Sequence, residues 1–210
     1  YFARNFATSA VTGEKPLIYF RFGAHPPILE PGPGVKIIPV DPAVGFESFS
    51  GTIREIATQA GERVCYVFDS LSELLSEWGT DLMIGNFFMV TCPYLFELKT
   101  IAYFGLLRNC HSFQTIARIR ETTQLLLDVF AKDRYYIHPL KVWQRYSPTM
   151  FLPHAAEGPD YIPLTSSAEM AKVFDKHPQS CGNAERVLDY WDHIFIKAGE
   201  LARNLTDHPE

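Results

Sequence analysis

The feature that most constrains the fold is a run of apolar residues that ends in an aspartate, Val64-Cys65-Tyr66-Val67-Phe68-Asp69-Ser70-Leu71. An unbroken apolar run is typical of a strand buried on both faces, as in a parallel sheet that is covered by helices. We therefore predict an α/β fold in which Asp69 stands at the carboxyl edge of the sheet, where ligands of open α/β sheets bind.

An aspartate at that edge has two explanations, which we weigh about equally on the strand alone. It can hold a Mg²⁺ ion whose other ligands are waters and substrate phosphates. It can instead cap the helix that follows the strand. Asp69 is thus a candidate metal ligand, and the rest of the chain has to decide between the two explanations.

Helical and strand patterns alternate along the chain, which favours a doubly wound parallel sheet over a β-sandwich. Strands are predicted over residues 17–22, 35–40 and 100–107, and helices over 1–12, 47–60, 72–78, 82–96 and 112–131. Gly61 and Gly79 mark helix ends. Residues 134–150 predict an antiparallel extension at the sheet edge, 153–163 a Pro-rich linker, and 166–169 the start of a short helix. The apolar stripe of residues 185–204 predicts a helix that needs another surface to cover it.

This order of elements resembles the RecA/KaiC-like ATPases, read from just after their phosphate loop. Residues 13–20 look like the family's "G-E-x-x-L-Y" entry to its second strand, and residues 64–71 look like its Walker B strand with the trailing D-S-L. The resemblance covers about residues 1–145. It implies a RecA-like, mostly parallel sheet with helices on both faces, ATP and Mg²⁺ as ligands, Asp69 and Ser70 at the nucleotide, and a homo-oligomer.

The remainder of the chain is similar to something narrower. The segments 145–148, 152–154 and 165–169 and the helix around Trp191 look like the stretch that joins a RecA-like module to a phosphoenolpyruvate-synthase-type pyruvate-binding domain. This implies a phosphoenolpyruvate/pyruvate-binding domain as a partner. We accordingly divide the chain into a nucleotide-binding-type domain, residues 1–150, and a Pro-rich linker with a helical tail, residues 151–210.

A basic pair is the next candidate, because hexameric relatives of this fold reach a neighbour's nucleotide with Lys-x-Arg from a late strand. The corresponding residues here are Lys141 and Arg145, at a spacing of four rather than two. An even offset permits both to face the same way along a strand. Arg145 is the better finger, since its guanidinium is planar and bidentate toward phosphate. We weigh about equally the alternative that Arg145 hydrogen-bonds to carbonyl groups of the Pro-rich tail.

Two departures from the family pattern concern activity. The phosphate-loop pattern G-x-x-x-x-G-K-[ST] occurs nowhere in the 210 residues, so the loop either precedes Tyr1 or is lacking. The family's pair of glutamates just past the second strand is also missing, because residues 21–25 contain no carboxylate. Without a base, water activation loses about 10²- to 10⁴-fold, which predicts slow hydrolysis. Arg21 and His25 are either contacts for an anionic ligand or plain surface residues.

Composition excludes several classes of function. The net charge of −5 argues against nucleic-acid binding, and the apolar region 82–107 is too interrupted for a membrane helix. Four cysteines without a C-x-x-C pair suggest neither a zinc site nor a disulfide framework, and we infer a reducing, cytoplasmic setting. Two functions remain: an ATP-binding module, deficient in hydrolysis and associated with a phosphoenolpyruvate-synthase-type protein, or a non-catalytic scaffold, oligomerisation or regulatory domain.

Overall fold

The computed structural model describes residues 2–158 and 160–174. The helices are α1 (Phe2–Thr12), α2 (Phe46–Ala60), α3 (Leu74–Trp78), α4 (Asp81–Glu97), α5 (Phe113–Thr122) and α6 (Ser167–Phe174). The strands are β1 (Leu17–Arg21), β2 (Val35–Pro39), β3 (Cys65–Asp69), β4 (Ile101–Phe104), β5 (Leu125–Ala131), β6 (Tyr135–Val142), β7 (His154–Glu157) and β8 (Asp160–Pro163). Two short 3₁₀ turns, Pro42–Val44 and Leu71–Glu73, precede α2 and α3.

A four-stranded parallel sheet in the order β2-β1-β3-β4 forms the first part of the fold. All three strand pairs are parallel, and each connection between sequential strands crosses over the sheet. β1 and β3 are the two central strands, and their register sets Arg21 beside Asp69. The predicted α/β class and the parallel sheet are therefore confirmed.

Helices cover both faces of this sheet, which explains the unbroken apolar run in β3. The side chains of Phe20, Tyr66 and Phe68 share one buried cluster with α2 and α4. Alternate positions on the same strands, including Tyr19 and Val67, pack in a second cluster with α1. Since successive strand residues point to opposite faces, a strand covered on both sides needs apolar residues at every position.

Several predicted boundaries agree with the structure. Gly61 ends α2 and Gly79 ends α3, with φ of 77° and 65°, values that favour glycine. The short helix expected after residue 166 is α6. The predicted helix over residues 185–204 lies outside the described residues.

The single helix predicted over residues 112–131 is wrong. α5 ends at Thr122, Thr123 is extended, and residues 125–131 form β5. The apolar spacing of residues 112–131 fits a helix throughout. The β-branched Thr122 and Thr123 have low helix propensity, however, which favours the end of the helix at this point. The long pairing of β5 with β6 then decides the conformation, because a tertiary partner overrides local spacing.

The C-terminal part also differs from expectation. Residues 134–150 were predicted to extend the first sheet, but β6 belongs to a separate antiparallel sheet in the order β5-β6-β7-β8. The linker predicted over residues 153–163 is wrong, since β7 and β8 pair there as a hairpin. The prolines of this segment suggested a linker. Pro163, however, is the last residue of β8, the edge strand of the sheet, where proline is tolerated. Residue 150 therefore lies between two strands of one sheet.

Two further findings concern the setting of the protein. Cys65 and Cys92 are free thiols, whereas Cys110 is disulfide-bonded. The disulfide removes part of the support for a reducing, cytoplasmic setting, which stays a prediction. Among the helices of residues 2–158 and 160–174, none combines the length and the apolarity that crossing a bilayer requires.

Candidate functional site

Asp69 lies at the carboxyl end of β3 and is only 8% exposed. Its Oδ2 atom accepts two hydrogen bonds, from the Tyr19 hydroxyl at 2.5 Å and from His25 Nε2 at 2.9 Å. The Tyr19 hydroxyl accepts in turn from the backbone N–H of Ile28 at 3.1 Å. A buried carboxylate is thus held in one orientation by donors from β1 and from the loop that follows it.

The strand register explains why these groups meet. Tyr19 pairs with Val67, so its ring lies on the same face of the sheet as Asp69, two residues farther along β3. His25 reaches the carboxylate from the loop after β1. The guanidinium of Arg21 shapes that loop by donating to the carbonyls of Gly23 and His25.

The contacts of Asp69 argue against the capping explanation. Ser70, not Asp69, is the N-cap residue of the 3₁₀ turn, and it makes no side-chain capping bond. Within the described residues, Asp69 Oδ2 receives two hydrogen bonds and no hydrogen bond is made to Oδ1. The binding of Mg²⁺ at Asp69 stays a prediction.

The described part of the chain does not build a metal site from its own side chains. The described residues contain no group of three or more His, Cys, Asp or Glu side chains arranged to hold a metal ion. Mg²⁺ differs from most metals here, because it is commonly bound by one or two carboxylates plus waters and substrate phosphates. A single oriented carboxylate fits that mode of binding, with most ligands supplied from outside the protein.

The tyrosines at this edge stay protonated. Burial, together with the hydrogen bond to Asp69, raises the pKa of Tyr19 to about 12. Burial also raises the pKa of Tyr103 on β4, and the Asp69 charge adds to that shift. Tyr19 consequently donates to Asp69 throughout the physiological pH range.

Glu73 is a residue of this site that the sequence analysis missed. A Cβ atom added to Gly23 would lie 2.7 Å from Glu73 Oε2 and 2.9 Å from its Cγ, so the Glu73 side chain fills the space above Gly23. Glu73 Oε1 lies 3.7 Å from His25 Nδ1. The imidazole of His25 therefore stands between the carboxylates of Asp69 and Glu73. The only sequence signal was the position of Glu73 in the turn that directly follows Asp69.

Ser70, a predicted nucleotide contact, follows Asp69 at this edge of the sheet. It is buried, its carbonyl accepts from the N–H of Glu73 at 3.1 Å, and the peptide bond between Asp69 and Ser70 is cis. Its Cβ lies 3.5 Å from the place of a Cβ added to Gly105, so the chain after β4 passes closely. Ser70 thus lines the same edge of the sheet.

The structure does not bring the basic pair to this edge as a pair. Lys141 lies on β6, and its Nζ donates to the carbonyls of Arg120 at 2.5 Å and Glu121 at 3.0 Å, at the end of α5. A cation there stabilises the helix C-terminus. Arg145 lies beyond the end of β6 and is exposed, without an ion pair to any other described residue.

A second polar contact ties the neighbouring loops together. Ser72 Oγ lies 2.6 Å from His111 Nε2 and accepts from the N–H of Leu107 at 2.8 Å. Burial lowers the pKa of His111, and the nearby Asp81 opposes this shift. The hydrogen bond between Ser72 and His111 joins the chain after β3 to the chain after β4.

The comparisons with known proteins assign no family. No family model matches the chain, and no curated protein sequence matches it.

Proposed function

We propose that this protein is a RecA/KaiC-like nucleotide-binding module that holds the Mg²⁺ of Mg-ATP at Asp69. One observation carries the proposal: Asp69 is buried at the carboxyl edge of a helix-covered parallel sheet, with Oδ2 fixed by two donors and Oδ1 without a partner among the described residues. Ligands of open α/β sheets bind at this edge. Oriented carboxylates are also the usual protein contribution to a magnesium–phosphate site.

The neighbouring residues take the following roles in this proposal. Tyr19 and His25 orient the carboxylate, and Ser70 lines the nucleotide side of the edge. Arg145, exposed and unpaired among the described residues, is the candidate that reaches the nucleotide of a neighbouring copy. Lys141 is the weaker candidate, because its ammonium group already binds the end of α5. Association with a phosphoenolpyruvate-synthase-type protein follows from the resemblance of residues 145–169 and belongs to the same proposal.

A scaffold that uses this fold for assembly is the second candidate, and one surface favours it. Phe96 and Trp143 are 55% and 48% exposed. Their rings are arranged edge to face, with their centroids 6.2 Å apart. Aromatic residues are enriched at protein–protein interfaces relative to the rest of the protein surface. A scaffold would not need Asp69 to bind a cation, so ligand binding at Asp69 separates the two candidates.

Isothermal titration calorimetry of the full-length protein tests the proposal. ATP is titrated with and without Mg²⁺ into the wild type, Asp69→Asn and the control Asp160→Asn, an exposed aspartate in β8 of the second sheet. We expect Asp69→Asn to weaken Mg-ATP binding and to leave metal-free ATP binding nearly unchanged, with Asp160→Asn behaving as the wild type. Equal affinities of all three proteins under both conditions would remove Asp69 from the site.

A further inference from the structure

A cavity of about 390 Å³ lies between α5 and β6 and shares no lining residue with the Asp69 site. Its volume falls in the lower part of the range of small-molecule sites in proteins. Five of its lining residues come from α5 and one comes from β6: Phe113, Ile116, Ala117, Arg120, Glu121 and Lys141.

The apolar part of the cavity is one face of α5. Phe113, Ile116 and Ala117 are three and four residues apart, which places their side chains next to each other on the helix. The buried residues of α5, Thr115 and Ile119, lie on another face. The Phe113 side chain is 61% exposed, so α5 presents apolar surface here that a ligand can cover.

Two cations lie at the C-terminal end of this face. Lys141 Nζ donates to the carbonyls of Arg120 at 2.5 Å and Glu121 at 3.0 Å, so it compensates the negative end of α5 and keeps one N–H for another acceptor. The Arg120 guanidinium makes one long hydrogen bond, at 3.4 Å to the Leu140 carbonyl. Within residues 2–158 and 160–174, neither cation forms an ion pair. Since Glu121 is the one carboxylate of the cavity, positive charge is in excess there.

We propose that this cavity binds a small carboxylate with an apolar chain, such as a free medium-chain fatty acid. The chain lies on Phe113, Ile116 and Ala117, where it removes apolar surface from water. The carboxylate binds the Arg120 guanidinium, whose planar donors match its two oxygens, and the remaining N–H of Lys141 is a further donor. This site is independent of the nucleotide that we propose at Asp69.

Calorimetry of the full-length protein with hexanoate, octanoate and decanoate tests the apolar part of the proposal. We expect a Kd for octanoate on the order of 0.1–1 mM. Each step of two methylene groups should tighten binding by about tenfold, because each buried methylene adds to the free energy of transfer. Octanamide, which has the same chain and no charge, should bind about tenfold more weakly than octanoate.

Three variants test the place of binding, with circular dichroism as the check on folding. Arg120→Gln should weaken octanoate binding by about tenfold and remove the preference over octanamide. Ala117→Trp should abolish binding of both ligands, because the indole fills the cavity. The control Arg63→Gln makes the same change in charge at an exposed arginine before β3 and should behave as the wild type.

Several results would overturn the proposal. One is a wild type that does not bind octanoate at about 10 mM, far above the expected Kd. Others are an affinity that does not depend on chain length, or Ala117→Trp binding octanoate as the wild type does. An equal loss of affinity in Arg63→Gln would indicate general attraction of anions and would also overturn it. If Arg120→Gln does not fold, Ala117→Trp and the comparison with octanamide decide the question.

Discussion

Two buried tyrosines on neighbouring strands allow a matched test of the Asp69 site. Tyr19 on β1 and Tyr66 on β3 are both 0% exposed, and burial raises the pKa of each to about 12. The Tyr19 hydroxyl donates to Asp69 at 2.5 Å and accepts from Ile28 at 3.1 Å. The Tyr66 hydroxyl is buried and has no hydrogen-bond partner within residues 2–158 and 160–174. Replacement by phenylalanine removes one oxygen in each case and keeps the ring.

The expected effects of the two substitutions on stability differ. Tyr19→Phe loses a hydrogen bond to a charged group, which lowers the free energy of unfolding by about 1.5–3 kcal/mol, toward the upper end if the Ile28 N–H stays unpaired. Tyr66→Phe removes a buried hydroxyl that has no hydrogen-bond partner in the described part of the chain, so it should be neutral or stabilise by roughly 1 kcal/mol. The free energies of unfolding of the two variants should therefore differ by at least about 1.5 kcal/mol.

Urea unfolding at pH 7, followed by circular dichroism, measures this difference. With an m-value of about 2 kcal/mol/M, the midpoint of Tyr19→Phe should fall by roughly 1 M, while that of Tyr66→Phe should not fall. Tyr19→Phe should also weaken Mg-ATP binding by about 10- to 100-fold, because it removes a group that orients the proposed metal ligand. Equal midpoints for the two variants would show that the Tyr19–Asp69 hydrogen bond does not stabilise the fold.

Two further predictions concern the rest of the fold. Burial lowers the pKa of both His111 and His138, so below about pH 6.5 the unfolded chain binds more protons than the folded chain. The free energy of unfolding should therefore fall as the pH is lowered from about 7 to about 5, and His111→Asn should make this fall smaller in urea titrations. Arg108→Ala should destabilise by about 2–4 kcal/mol in the same assay, because it leaves the largely buried Asp128 without the ion pair at 2.8 Å; a loss under 0.5 kcal/mol would contradict this.

The parallel sheet was predictable because its cause is local. β1 and β3 are covered on both faces, so their apolar runs are unbroken, and Gly61 and Gly79 end helices with φ values that other residues rarely adopt. The second sheet was not predictable in this way. Its strands pair mainly as hairpins, β5 with β6 and β7 with β8. Residues 125–131 carry an apolar spacing that also suits a helix, and only the pairing with β6 makes them a strand.

The residues of the candidate site also differ in whether the local sequence predicts them. Asp69 was found because it ends an apolar run, and its place at the sheet edge follows from that run. The contact of Tyr19 with Asp69 could not be predicted, since it depends on the register that pairs Tyr19 with Val67 and so sets both side chains on one face of the sheet. Glu73 was not predicted, because the family pattern places a carboxylate in the chain directly after β1, whereas the fold brings one from the turn after β3.

A crystal structure of the full-length protein with Mg²⁺ and a non-hydrolysable ATP analogue tests the central claim most directly. We predict nucleotide phosphates outside the carboxyl ends of β1 and β3, with Mg²⁺ at about 2.0–2.1 Å from Asp69 Oδ1 or one water removed from it. Tyr19 and His25 should remain bound to Oδ2. Two results would contradict the account. One is nucleotide bound elsewhere, and the other is no bound nucleotide at millimolar concentrations of Mg²⁺ and the analogue while Asp69 keeps its present contacts.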